Sequence, residues 1–472
     1  MSDCCKTGKH LVILGGGSAA FAASLKASEL GHRATIVNAG LPTGGTCVNV
    51  GCVPSKFLIR AAGQLHDARH PRYAGIDGSG HLTDFRALIS QKRSLVEGLR
   101  QGKYLDVIAD DPAIQLIEGR GRLPDAHTVE VNGKQLKADC ILIATGARPR
   151  LPNVPGIVES GCLTNESLFE LTQLPKSLIV LGGRYIALEC AQMMARLGTA
   201  VTILQRSSRI LPTEAPDLTD QLTAFFHEEG IRVVTGIDLR QVGREADCIR
   251  VVAEVEGKPC TFEAEQILAA TGRMGNTDGI GLENLGLIPR SDGTIHVSES
   301  LSTKVKGIYA AGDVIGEPQF VYSAAYEGAL AAENALVGTS RSRDYTGLPW
   351  VIFTDPQVAG VGLDEAQARR LGINAETATL PLSHVPRSLV GRDTRGFIRL
   401  VRERQSDRLI GARFLASEGG ELCMEAALAI RAGMTARELA SLFHPYLTLS
   451  EGLKLAAITF GKSVAKLSCC AS

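Results

Sequence analysis

Apolar and polar positions divide the chain into strands, turns and helices from its first ordered segment. Residues 11–14 form an apolar run that leads into Gly15-Gly16-Gly17. A helical pattern follows, then a second apolar strand ending at Asn38. This order predicts a βαβ unit with a G-x-G-x-x-A turn at Gly15, Gly17 and Ala20. Such glycines allow a tight turn and a close backbone approach to a pyrophosphate, which the helix N-terminus then stabilises. The pattern returns without a gap at residues 177–205: Gly15 falls on Gly182, Ala20 on Ala187, Gly31 on Gly198, Thr35 on Thr202 and Ile36 on Ile203. Each unit is followed by an apolar strand ending in Ala-Thr-Gly, at 144–146 and at 270–272. The repetition points to two Rossmann-like dinucleotide-binding domains in an α/β chain.

Elsewhere, Asn132-Gly133 between alternating residues predicts a hairpin turn. Residues 61–104 are mostly helical with a break at 70–80, and 322–338 is a further helical run. From about Leu348 the pattern changes to strands at 349–362, 396–401 and 408–416, then helices, which marks a third, α+β domain. No low-complexity linker separates the parts, so they are expected to pack tightly.

The length of 472 residues agrees with about three domains. Lys plus Arg and Asp plus Glu each number 50, which leaves no electrostatic footprint for nucleic acid or an anionic membrane surface. With 44% hydrophobic and 21% charged residues the chain is neither disordered nor fibrous. No run of about 18 apolar residues occurs and the first ten residues lack an apolar signal core, so a cytoplasmic location without a membrane is expected.

Twelve cysteines are too sparse for a disulfide scaffold, and in a reducing compartment they are more often reactive or metal-binding. Cys4 and Cys5 are vicinal, Cys469 and Cys470 are vicinal, and Cys47 and Cys52 flank a short turn; the other six are expected to be packing.

The segment GGTCVNVGCVPSK at 44–56 carries the most specific chemistry. Pro54 and Lys56 open a helical run just after two cysteines. A helix N-terminus and a lysine both favour thiolate, so at least one of Cys47 and Cys52 should have a depressed pKa. A thiolate against an oxidised flavin can donate charge to it and receive electrons from it.

At these residues the chain resembles the flavoprotein disulfide oxidoreductases, from about Lys9 to its end. The resemblance implies an FAD domain in two parts (1–165 and 276–347), an inserted NADPH domain (166–275) and a C-terminal dimerisation domain (348–472). It makes Cys47 the interchange thiol and Cys52 the proximal thiol in charge transfer with FAD, with Lys56 near the flavin and paired to Glu189. FAD contacts map onto Gly15, Gly17, Ala19, Gly40, Thr46, Lys56, the hairpin near Gly121, Thr145, Gly146, Asp313 and Val321. The position that is usually acidic and bonds the adenosine ribose is Asn38, an amide without charge assistance.

In the second unit, Gly182, Gly183 and Arg184 form the phosphate turn, with Arg184 replacing the second glycine of the fingerprint. Gln205 replaces the acid expected for NADH, and Arg206 and Arg209 supply guanidiniums for a 2′-phosphate, so NADPH is favoured. Tyr185 occupies the position of the family's gating residue on the nicotinamide side.

Disulfide-reducing members carry an H-P-x-x-x-E element that supplies a proton to the leaving thiolate. Here the residue at the histidine position relative to Glu451 is Tyr446, while His444-Pro445 lies two residues early. The segment around Tyr446, the KLSCCAS end, DPQVA at 355–359, HVPRS at 384–388 and DTRGFIRLV at 393–401 all resemble the mercuric reductase branch. That resemblance implies NADPH-dependent reduction of Hg(II), presented as a thiolate complex, in a homodimer with active sites at the subunit interface. Cys469 and Cys470 would pass the metal to Cys47 and Cys52, and Tyr446 would act on the partner's site. Soft Hg(II) suits such thiolate pairs. Two alternatives stand beside it: a low-molecular-weight disulfide reductase using His444, and a non-catalytic soft-metal-binding thiol protein. Cys4 and Cys5 are either a metal-collecting dithiol or an incidental end.

Overall fold

The computed structural model describes residues 8–464. A five-stranded sheet runs Ile308–Ala310, Cys140–Ile143, His10–Leu14, Arg33–Asn38, Ile114–Glu118, with His10–Leu14 at its centre and parallel to both neighbours. Helices cover such a sheet, so its central strand is an unbroken apolar run, buried from Leu11 to Leu14. Helix Ser18–Glu29 is rich in alanine on its buried side and crosses helix Val321–Val337 closely. At that crossing a Cβ on Gly328 would stand 2.0 Å from the carbonyl oxygen of Ala19, so only glycine fits.

The second unit is a four-stranded parallel sheet in the order Arg232–Thr235, Ala200–Gln205, Ser177–Leu181, Gln266–Ala269, with helix Tyr185–Leu197 after its glycine turn. An antiparallel three-stranded sheet of Ile237–Glu245, Cys248–Val255 and Lys258–Ala264 adjoins it in sequence. The Ala-Thr-Gly echo has a physical reason. Gly15 and Gly182 have φ of +114° and +118°, and a Cβ on each would meet the carbonyl oxygen of Ala144 at 2.1 Å or of Ala270 at 2.4 Å. The end of the returning strand therefore backs the glycine turn in both units.

Asn132 and Gly133, with φ of 50° and 72°, turn the hairpin between Thr128–Val131 and Lys134–Lys137 as the sequence predicts. The C-terminal part is a five-stranded antiparallel sheet ordered Pro349–Ile352, Gln357–Gly362, Leu409–Ala416, Phe397–Glu403, Ala375–Pro381, with helices Gly419–Arg431, Ala436–Ser441 and Glu451–Ile458. One apolar cluster joins the second unit to the other parts, with Leu58 and Ala62 on one side and Ile352, Val358, Phe397 and Leu415 on the other. Buried Arg196 ties the same junction, reaching Glu229 at 2.6 Å and Asp355 at 2.8 Å. Among the described residues no helix is long and apolar enough to cross a membrane.

Candidate active site

Cys47 and Cys52 sit on two successive helices, Gly45–Val50 and Cys52–Arg69, with Gly51 at the break. The sequence suggests a plain turn there; the chain instead re-enters helix at once. A Cβ on Gly51 would lie 2.9 Å from the carbonyl oxygen of Thr46. The break places the two thiols in a hydrogen bond. The Cys47 thiol, donating to Cys52, lowers the Cys52 pKa to about 7 against the opposing cost of burial, with the Lys56 ammonium helping. Cys47 is pushed up by the same hydrogen bond and by burial, so it holds the proton.

Lys56 lies one turn along the helix from Cys52. Its Nζ is 2.7 Å from Glu189 Oε2 and 4.5 Å from the centre of the Phe353 ring. Glu189 Oε1 accepts from the Phe353 amide at 2.9 Å, so the buried carboxylate is held from both sides. Tyr185, the first residue of its helix, stacks on Phe320 at 6.2 Å and on Trp350 at 5.8 Å, and Phe320 stacks on Tyr322 at 5.2 Å. Burial raises the Tyr185 phenol to about 12, so it stays protonated at neutral pH.

All of these groups except Trp350 line one cavity of about 410 Å³, shared with Gly17, Ala19, Thr46, Gly146, Asp313 and Val321. Asp313 is held above the usual carboxylate range by burial, with Arg273 opposing; Arg273 Nε lies 3.6 Å from Asp313 Oδ2. Two buried polar atoms here lack a hydrogen-bond partner in the protein, Thr145 Oγ1 and Arg273 Nε. Buried polar groups are rarely left so unless a ligand completes them. A Cβ on Gly45 would come within 2.7 Å of Gly17 Cα, so the glycine turn and the loop before the dithiol pass each other only because both carry glycine there. A long, polar-ended dinucleotide fits this cradle, and FAD is the group these residues suit.

The other expected FAD residues lie outside the cavity lining. Gly40 is exposed with φ of +85°, and Gly121 is buried where a Cβ would meet Leu14 at 2.5 Å. Asn38 is buried at the strand end and bonded to Glu118. On the second unit, Gly183 passes Gln205 so closely that a Cβ would lie 3.1 Å from its side chain. Arg184 stands at the helix's N-cap position without a side-chain capping bond, Arg206 is exposed, and the buried Arg209 Nε has no hydrogen-bond partner.

Tyr446 is 56% exposed and is not part of the cavity lining. His444 is buried, its Nε2 2.6 Å from Glu425 Oε1, and Ser450 also donates to that carboxylate. Cys4, Cys5, Cys469 and Cys470 lie outside the described residues. Sequence reasoning passed over Arg273, Phe353 and Phe320. Arg273 was available from the Ala-Thr-Gly repeat it follows; the two phenylalanines reach the site only through tertiary packing.

In the reduced dithiol form, the ultraviolet absorbance of the Cys52 thiolate is expected to develop as pH rises through about 7. Cys47→Ala removes the donor and moves that titration upward. An unmoved midpoint would show that Lys56 or the helix, and not Cys47, sets the thiolate.

The fold and the site together define an oxidoreductase with two nucleotide-binding units and a dithiol between them. The chain belongs to the pyridine nucleotide-disulphide oxidoreductase family, whose model matches residues 9–328, with the family's dimerisation domain at 348–457. It is 45% identical over 471 residues to the mercuric reductase of Streptomyces lividans, covering 98% of this chain and 99% of that protein. It is 43% identical over 462 residues to the mercuric reductase of Staphylococcus aureus, covering 98% and 84%. Among solved structures it is similar to the HOCl-induced flavoprotein disulfide reductase RclA from Escherichia coli, with a TM-score of 0.84 and 29% identity over 94% of this chain and 98% of that one. LpdA from Mycobacterium tuberculosis is likewise similar, with a TM-score of 0.85 and 28% identity over 96% and 100%. FAD and a nicotinamide nucleotide are thus the cofactors of this chain.

Proposed function

We propose that this chain reduces Hg(II) to Hg(0) with NADPH as reductant, through FAD and the Cys47–Cys52 dithiol, for mercury detoxification. The observation that carries the reading is the dithiol: a thiolate at Cys52 and its hydrogen-bonding partner on the wall of a dinucleotide cavity. Near-full-length relatives named mercuric reductase support it. FAD, when bound, supplies a relay between a hydride donor and a two-electron acceptor. Overall, NADPH and Hg(II) give NADP⁺, a proton and Hg(0).

The protein's part is binding, orientation and proton control. Arg206 and Arg209 grip the 2′-phosphate, and Gln205 offers it no negative charge. The Tyr185 ring, held in its aromatic stack, covers the nicotinamide side. Cys52 offers a ready thiolate to the soft metal, and Cys47 gives up its proton on becoming the second ligand. Lys56, fixed by Glu189, keeps a positive charge beside the thiolate and shields the flavin side. Cys469 and Cys470 take Hg(II) from its thiol complex and pass it inward.

The enzyme works as a cytoplasmic homodimer, with each site completed by its partner. Met424, Leu428, Phe443, Tyr446 and Leu447 of the C-terminal part are all exposed, and such apolar surface suits a second copy of the chain. A disulfide-reductase reading needs His444 as proton donor; its ring is held by Glu425 and is not among the residues that line the cavity.

The tail is tested by Cys469→Ala/Cys470→Ala, assayed by Hg(II)-dependent NADPH oxidation in excess thiol. The expected outcome is a loss of roughly ten-fold or more in kcat/KM for thiol-bound Hg(II), since transfer between held thiols becomes capture from solution. Unchanged kcat/KM would sink the tail's role.

A further inference from the structure

We propose that Glu118 is the carboxylate that meets the adenosine ribose of FAD in this chain, resting on the FAD reading above. A βαβ nucleotide unit commonly places an acid at the end of its second strand to accept from the ribose hydroxyls. That position holds Asn38, whose neighbour in the parallel register, at the same carboxyl end of the sheet, is Glu118. Ligands of doubly wound sheets bind beside these carboxyl ends.

The hydrogen bonds show why Asn38 does not replace the acid. Its Nδ2 donates to the Leu41 carbonyl at 3.2 Å and to the two Glu118 oxygens at 3.3 and 3.1 Å. Both amide hydrogens are therefore used within the protein. Its Oδ1 is packed on the glycine turn, where a Cβ on Gly16 would stand 2.4 Å away.

Glu118 is placed for the missing role. It is exposed at the strand end, and Thr43 Oγ1 donates to its Oε1 at 3.0 Å. Asn38 and Thr43 are neutral donors, so they orient the carboxylate without cancelling its charge. Oε2 accepts from Asn38 alone and keeps lone-pair capacity for a hydroxyl. The acid has moved one strand across the sheet, and Asn38 has become the residue that positions it.

The test is FAD retention by the full-length holoenzyme, read as released-flavin fluorescence on serial dilution. Glu118→Gln keeps the shape and removes the charge. It is expected to weaken FAD binding about ten-fold, the scale of a hydrogen bond to a charged acceptor. Asn38→Glu/Glu118→Gln, which returns the carboxylate to the usual strand, is expected to recover most of the loss. Loss of the ribose hydroxyls in an FAD analogue with 2′,3′-dideoxyadenosine is expected to cost wild type more affinity than it costs Glu118→Gln, whose neutral amide bonds a hydroxyl more weakly. Wild-type retention in Glu118→Gln overturns the proposal, and so does an equal penalty from the analogue in both proteins. Wild-type protein purified without flavin would overturn the FAD reading itself.

Discussion

Cys52→Ala is expected to lower Hg(II)-dependent NADPH oxidation by roughly 10³-fold or more, the scale on which loss of the nucleophile from a catalytic constellation falls. The reason lies in the division of labour between the thiols. Cys52 carries the thiolate at neutral pH, because Cys47 donates to it and Lys56 faces it. Cys47 alone, raised by burial, keeps its proton and makes a poor first ligand. FAD content should be unchanged, since Thr145, Asp313 and the glycine turn are untouched. Flavin absorbance per chain and initial rates of NADPH oxidation read both points. Turnover within about ten-fold of wild type would remove the dithiol from the mechanism.

Gly15→Ala has the second large effect. The new Cβ would stand 2.1 Å from the carbonyl oxygen of Ala144, at a φ of +114° that L side chains rarely adopt. Left-handed strain and overpacking together cost about 2–4 kcal/mol. Relief requires the turn to move off the strand that backs it, and the turn is what approaches the pyrophosphate. FAD affinity is expected to fall about 100-fold, by the usual conversion of 1.4 kcal/mol per ten-fold. Gly31→Ala is the matched control: φ is +76° there, but nothing lies within 4 Å of the added Cβ. It should cost about 1 kcal/mol of stability and leave FAD content intact. Equal flavin loss in both variants would mean that backbone strain, and not the close approach, holds the site.

The parts legible in the sequence are those whose physics is local. Apolar runs, glycine turns and the Asn132-Gly133 hairpin each follow from neighbouring residues, and the two nucleotide units follow from their repetition. The Cys47–Cys52 segment was legible because its chemistry lies within one stretch, although the helix break at Gly51 was not. What escaped was decided across the chain. The strand Ile114–Glu118 gives a weak pattern, half exposed, and becomes a strand by pairing with Arg33–Asn38. Ala375–Pro381 is similar, with only Ala378 and Leu380 buried. His444 carried a plausible proton-donor motif, yet Glu425, nineteen residues earlier, takes its ring. Lys56 was readable as Glu189's partner through family resemblance, while the Phe353 amide that fixes Glu189 was visible only in the fold.

Hg(II)-stimulated NADPH oxidation by the purified full chain, in excess low-molecular-weight thiol and with released Hg(0) trapped, is the most direct test of the assigned reaction. The expected result is no oxidation beyond background without Hg(II), and one Hg(0) recovered for each NADPH consumed when it is added. Absence of Hg(II) stimulation, with steady turnover of glutathione disulfide in its place, would contradict it.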